Sequence, residues 1–515
     1  MTGKTNQTQI RNKFYLISLI ILFLFFIFNA FYSTAVPISG DEAYHWEWSR
    51  HLDWGYYDHP PMVGWIIALA RYVGSIIGGT ELFWTRLPAL LSVTGIMIIV
   101  FSLITQFTKS YKLGFYSIII MIATPLFSLG ANIINTDLPL LFFWGITLYF
   151  IYQIIFNDRE NYWYLAGISL GFAFLSKFYS ILLVPGLFVF LFLSRKDRHW
   201  LKRKELYIFL VTAGLIYLPN LIWNINHEWA TFYFNLSSRH ETQFGLKSFF
   251  SSVLGQMGVI GPVLFLFLIS GLVSSGRRGI KGKDRKALFL FSFSLVVFLF
   301  FSLIGLFRST GAHWPAMGYI SLVPAFVYGF QDNLRNIKWK SGLWWLFHLG
   351  LVLSLIMTVI IHLLPVYAYL IPDNFNLLGN EVKVDHSDLG PIYGWEEIGD
   401  HLVSLQQETE EEVFFISPSY AFSSMVSFNT PGKPFVRLFG SSSVYGQNYE
   451  YWNNFEKLQG QDAIFTYKKP MDNYIDKLEK SFSRVEVLEP LKIYDPVGRQ
   501  VRTIYFAYGE SFQGE

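Results

Sequence analysis

The sequence contains no cysteine, so it holds no disulfide framework, no thiolate metal site and no cysteine nucleophile. Charge is scarce too. Asp, Glu, Lys and Arg make up 15% of the 515 residues, against about a quarter in a typical soluble chain. That argues against an ordinary water-soluble enzyme. A net charge of +3 is too small to argue for a nucleic-acid partner. There is no HxxxH or HExxH spacing among the histidines. A metal site would therefore have to assemble from separate loops. No residue is assigned to a metal, and a divalent ion stays open. Internal repeats and low-complexity segments are also lacking.

Apolar residues are abundant. Hydrophobic side chains form 52% of the chain, with 51 phenylalanines. Windows of about 18 or more apolar residues read as transmembrane helices. The eleven candidates are 14–34, 85–106, 113–133, 137–156, 162–176, 178–194, 206–224, 248–273, 288–307, 313–330 and 343–371. The pair 162–176 and 178–194 is short, with Lys177 at the junction. The first span lacks a small-residue cleavage site and reads as a retained anchor.

Basic residues crowd the loops on one side, above all 195–204 and 277–286. By the positive-inside rule that side is cytoplasmic. The other side receives only Arg50, Arg71, Arg86, Lys177, Arg239, Lys247 and Arg308 from the membrane section. From Asn376 onward the chain turns polar, with 21 acidic and 12 basic residues. There 413–416 and 463–467 read as strands, and 396–407 and 472–481 as amphipathic helices. The expected organisation is an all-α polytopic membrane domain, 1–374, with about 11 transmembrane helices and added interfacial helices. A small α/β domain, 375–515, follows on the outer, extracytoplasmic side. The location implied is a bacterial inner or plasma membrane.

Ionisable residues gather in 37–65, PISGDEAYHWEWSRHLDWGYYDHPPMVGW, just after the first span. One reading is a solvated loop within an aromatic interfacial belt. The other is a site, because acids in low-dielectric surroundings are costly and often functional. Residues 43–52 and 61–77 have the pattern of helices lying in the interface plane, holding Asp41 and Glu42 at the membrane surface. Asp137, in ANIINTDLPLLFFW, reads either as an N-cap of the fourth span or as a second site acid.

Taken in order, the Asp41–Glu42 pair, GYYDHPP at 55–61, NTDLPLLFFW at 135–144, LSKFYSILLVPG at 175–186, IWNINHEWATF at 222–232 and HWPA at 313–316 resemble the glycosyltransferase 39/83 group. So do GWEEI at 394–398, the stretch 413–434 and NYEYW at 448–452. The group includes protein O-mannosyltransferases and the aminoarabinose transferases that modify lipid A. The resemblance implies a GT-C fold, a polyprenyl-phosphate-linked sugar as donor and an outward-facing active site. It implies Asp41 as general base, Glu42 as its companion and Asp137 as a further catalytic acid. For the donor phosphate it points to Arg86, Arg239 and His59; for substrate contacts, to Glu81, His227 and Tyr57. His240 could stand in for His227 or Arg239. Arg71 is expected on an exposed amphipathic face.

Apart from any family, transfer from a lipid phosphate needs a base for the acceptor and cations to offset the departing charge. The scarce outer cations suit the second need, although each could equally be a snorkelling rim residue. The partners expected are the lipid-linked sugar, membrane lipids and an acceptor that the sequence does not specify. Two rival readings are a proton-coupled transporter or flippase, and an assembly scaffold. Against transport, the acids sit at span ends on one side, and the two halves do not repeat.

Overall fold

The computed structural model describes residues 2–235, 244–331, 334, 342–377, 380–383, 385, 390–409, 412–441 and 443–514. These residues form two compact units. One joins Met1–Ser33 to His59–Ile361, and the other joins Thr34–Asp58 to His362–Glu515.

The first unit is helical. Among the described residues seven helices are long and apolar enough to cross a membrane: Lys13–Ala35, Glu81–Thr108, Asp137–Asn157, Lys204–Asn226, Pro262–Ile280, Arg285–Gly305 and Gly342–Leu370. The shorter apolar helices are Met62–Ile77, Tyr111–Ala123, Tyr162–Ser176, Phe178–Leu193 and Ala316–Gly329. Glu81–Thr108 and Asp137–Asn157 are largely buried, whereas Lys13–Ala35 and Gly342–Leu370 leave rows of Leu, Ile and Phe uncovered. Uncovered faces of that size need lipid, not water. The chain is a polytopic integral membrane protein.

Two of the expected spans are broken. Residues 113–133 divide into Tyr111–Ala123 and Pro125–Gly130, and residues 248–273 into Leu246–Ile260 and Pro262–Ile280. At the second break Gly261 has φ +97°, a conformation side chains rarely adopt, and Pro262 opens the next helix. Carbonyls freed by a break inside a membrane need internal donors. Ser354 Oγ lies 2.8 Å from Ala123 O and 2.7 Å from Ile260 O, and Thr358 Oγ1 donates to Ala123 O at 2.8 Å. A single helix thus serves both breaks.

Tyr162–Ser176 carries Gly167 and Gly171 four residues apart on the face toward Lys204–Asn226. A Cβ on Gly167 would fall 2.8 Å from Phe209 O, and one on Gly171 2.6 Å from Ile216 Cβ. Such small-residue spacing lets two backbones meet closely. The helix then stops at Lys177, which is extended (φ −164°, ψ 144°), and the chain resumes as the 3-10 turn Phe178–Leu182.

The second unit is built on a six-stranded sheet ordered Val436–Leu438, Val413–Ser417, Asp462–Tyr467, Gln500–Phe512, Phe482–Val487, with Leu491–Tyr494 also pairing Gln500–Phe512. The first three strands are parallel, and the rest antiparallel. Trp395–Glu408 and Ile475–Ser481 are the two helices expected there.

The helix Gly40–Arg50 belongs to this unit and does not have the exposed polar face of an interfacial helix. Every residue from Glu42 to Ser49 is buried, because Tyr420–Asn429 packs along it. Trp46, Trp48 and Tyr56 are core residues here rather than an aromatic belt. Arg50 donates from Nη1 to Glu47 Oε1 and Ser427 Oγ, both at 3.0 Å, and from Nη2 to Lys433 O at 2.9 Å. This cation is spent on holding the unit together.

Candidate functional site

In the first unit, three of the motifs singled out in the sequence converge. Asp137 comes from NTDLPLLFFW, Lys177 from LSKFY and His313 from HWPA. Lys177 Nζ sits 2.8 Å from both carboxylate oxygens of Asp137, and each side chain is only 6% exposed. His313 Nε2 lies 3.4 Å from Asp137 Oδ2. Lys177 makes this contact from the extended position between the end of Tyr162–Ser176 and the turn Phe178–Leu182. A lysine this deep in apolar surroundings is tolerated when it is paired.

Asp137 does not cap its helix. Thr136 holds the N-cap position without a side-chain cap bond, and Asn135 Oδ1 accepts from the Asp137 N–H at 3.0 Å. The Asp137 carboxylate therefore lies in the first turn, where the helix dipole favours it, and it is occupied by the lysine.

Lys177 also lines a cavity of ≈ 450 Å³. Phe178, Tyr179, Tyr217, Phe232 and Phe300 supply most of its wall, and Asn235 and Arg308 add polar groups. Tyr179 packs on Trp314, with ring centroids 5.7 Å apart, which ties the cavity wall to the HWPA turn. Among the described residues the Arg308 guanidinium has no hydrogen-bond or ion-pair partner. Aromatic walls suit an isoprenoid or sugar face, and an available guanidinium suits an anion.

The other expected residues of this unit are placed differently. Arg86 is 2% exposed, and its Nη1 donates to Ser33 O at 2.7 Å, bracing the end of the first helix. Arg71 is not free on an exposed face: it pairs with Glu81. His227 ends the helix Lys204–Asn226, with Nδ1 2.8 Å from Trp223 O and its ring stacked on Trp223 at 3.9 Å. His59 is half-buried. Arg239 and His240 lie outside the described residues.

In the second unit, Asp41 and Glu42 have different environments despite being adjacent. Glu42 is 1% exposed and completes a capping box: Ser39 N donates to Glu42 Oε2 at 3.0 Å, and Glu42 N to Ser39 Oγ at 3.4 Å. Asp41 is exposed, and Tyr420 Oη donates to its Oδ1 at 3.1 Å. The Tyr57 N–H donates to Asn448 Oδ1 at 2.7 Å. Tyr44 Oη donates to Asp58 Oδ2 at 2.6 Å, and burial holds this phenol well above its ordinary pKa. Among the described residues no group of three or more His, Asp or Glu is arranged to hold a metal ion.

Comparison with known proteins bears on the fold. Residues 58–223 match the dolichyl-phosphate-mannose-protein mannosyltransferase family. Crystal structures of ArnT from Cupriavidus metallidurans superpose over nearly the whole chain. The apo form covers 98% of both chains at 16% identity, with a TM-score of 0.60. The form bound to undecaprenyl phosphate covers 96% of this chain and 97% of that one at 14% identity, with a TM-score of 0.59. The chain has a GT-C glycosyltransferase fold. Among curated proteins, the lipid A galacturonosyltransferase RgtD of Rhizobium johnstonii is 28% identical over 309 residues. That stretch is 59% of this chain and 62% of RgtD, so the match spans less than two thirds of the relative.

In the sequence, Lys177 and Arg308 stood out as scarce outer cations and Lys177 and His313 lay in motifs of the resemblance, but none of the three was assigned as a site residue. The signal for Lys177 was present, since it is a lone lysine between two apolar runs whose charge needs an acid nearby. For Arg308 the sequence signal was its scarcity as an outer cation, which it shares with six others.

Proposed function

We propose that the protein is a membrane glycosyltransferase that moves a sugar from a polyprenyl-phosphate carrier to a hydroxyl of an extracytoplasmic acceptor. The observation that carries this reading is the convergence of Asp137, Lys177 and His313 beside an aromatic cavity that presents Arg308. The names of the proteins it resembles supply the chemistry. ArnT binds undecaprenyl phosphate, and RgtD transfers galacturonate to lipid A. A lipid-linked hexose or hexuronate as donor and a glycolipid as acceptor follow as the substrates to try first.

In this reaction the acceptor oxygen attacks the anomeric carbon, its proton passes to the Asp41 carboxylate, and the bond from that carbon to the phosphate oxygen breaks. The carrier departs as a phosphate monoester, bearing up to about two negative charges near neutrality. Arg308 offers a bidentate partner for that charge. Lys177, already shared with Asp137, contributes less. The family resemblance points to Arg86 for the same phosphate, and its burial makes it a second candidate rather than the first.

The test is binding of bare undecaprenyl phosphate to the detergent-purified protein. Arg308→Ala is expected to weaken binding by about 1.5–3 kcal/mol, the usual worth of a hydrogen bond to a charged group, and Arg308→Lys should retain part of the affinity. Equal affinity in wild type and Arg308→Ala, with loss in Arg86→Ala, would move the clamp to Arg86. No binding by the wild type, and no transfer from undecaprenyl-phosphate galacturonate to lipid A, would count against the whole reading.

A further inference from the structure

The acid assigned as general base sits on a helix that the C-terminal residues hold. Asp41 lies in the first turn of Gly40–Arg50, and this helix is fixed along its length within the second unit. At its start Gly40 meets Ala421 so closely that a Cβ on Gly40 would fall 2.8 Å from Ala421 Cβ. Gly446 has φ +82° and closes over Tyr420, where a Cβ would come within 2.2 Å of the Tyr420 Cβ. Two glycines thus bring Tyr420 against the head of the helix. Its ring packs edge-on to Tyr44 with centroids 4.9 Å apart. Further along, Asn448 Nδ2 donates to Tyr44 Oη at 2.6 Å, and Glu47 and Arg50 engage Ser427.

Among the described residues one hydrogen bond reaches the Asp41 carboxylate. Tyr420 Oη donates to Oδ1, and among the described residues Oδ2 has no partner. Glu42 is not available as a substitute because the capping box uses it.

We propose that Tyr420 is the positioning residue of this base: its phenol pins one oxygen of Asp41 and leaves the other aimed outward for the acceptor's hydroxyl proton. The C-terminal α/β residues are then part of the catalytic apparatus, not an appended binding module. This rests on Asp41 acting as the base. Burial, and then the charge of Asp41, hold the Tyr420 phenol far above its ordinary pKa, so it remains a donor across the working range. Besides Asp41, the groups facing it are Asp58 and Tyr445, with Tyr44 packed on its ring.

Tyr420→Phe should free the Asp41 carboxylate to rotate away from its working orientation. At neutral pH kcat should fall about tenfold with KM for the donor unchanged, because the phenol touches the base and not the sugar. The assay is transfer from undecaprenyl-phosphate galacturonate to lipid A by the purified full-length protein. Gly40→Ala should also lower kcat, and adding Ala421→Gly should restore it, since the clash is between those two Cβ atoms. Such rescue identifies the helix contact as what places the base, even if Tyr420→Phe fails to accumulate. An unmoved kcat in Tyr420→Phe, alongside an inactive Asp41→Asn, would overturn the positioning role alone. An active Asp41→Asn would overturn the reading of the base itself.

Discussion

Asp41→Asn is expected to lower the rate of sugar transfer by about 10²–10⁴-fold, the usual worth of a general base, with binding of undecaprenyl phosphate and thermal stability nearly unchanged. The amide keeps the shape of the side chain, and its oxygen still accepts from Tyr420. The side chain is exposed, so no buried charge is left uncompensated. Only the ability to take a proton is lost. Glu42 provides the control. Capping boxes accept Gln as readily as Glu, so Glu42→Gln should retain most of the activity, whereas Glu42→Ala should loosen the helix start and cost about 1 kcal/mol of stability. Measured rates, with melting curves alongside, separate the two acids. An Asp41→Asn enzyme close to wild type would shift the base to Asp137.

The contrast between these neighbouring carboxylates marks where the sequence could be read and where it could not. Ser39 three residues before Glu42 is a capping-box signature, yet a pair of acids after a membrane span draws attention as a pair. The apolar runs predicted nearly every helix, because a segment that is apolar all round admits few alternatives in a membrane. Their continuity also hid the break at Gly261–Pro262, where local backbone chemistry outweighs hydropathy and a distant serine, Ser354, accepts the consequence. The strands 413–417 and 462–467 were legible for a similar reason, being short apolar stretches bounded by polar turns. The membership of Gly40–Arg50 was not. Its aromatic residues suit a headgroup interface and a protein core equally well, and only the partners supplied by 420–453 decide between them. The same holds for Arg308, which has no counter-ion among the described residues, a matter of tertiary placement.

The buried pair Lys177–Asp137 gives the second large effect. Lys177→Met removes the ammonium and leaves the carboxylate with His313, a half-exposed neighbour at 3.4 Å. Breaking a buried ion pair from one side costs about 3–5 kcal/mol, mostly because the remaining charge is uncompensated. Lys177 borders a cavity, so water can relieve part of this, and the lower end of that range is expected from melting temperatures in detergent. The double variant Lys177→Met with Asp137→Asn carries no unpaired charge and should regain most of the stability, as neutral replacements of buried pairs often do. Activity should not return with it. A structural pair could be exchanged for neutral side chains without loss of turnover, whereas a pair that orients substrate or counters the leaving phosphate could not. Full activity in the stable double variant would reduce Asp137 and Lys177 to a brace between helix ends. A single variant as stable as wild type would mean that the carboxylate is already compensated by other neighbours.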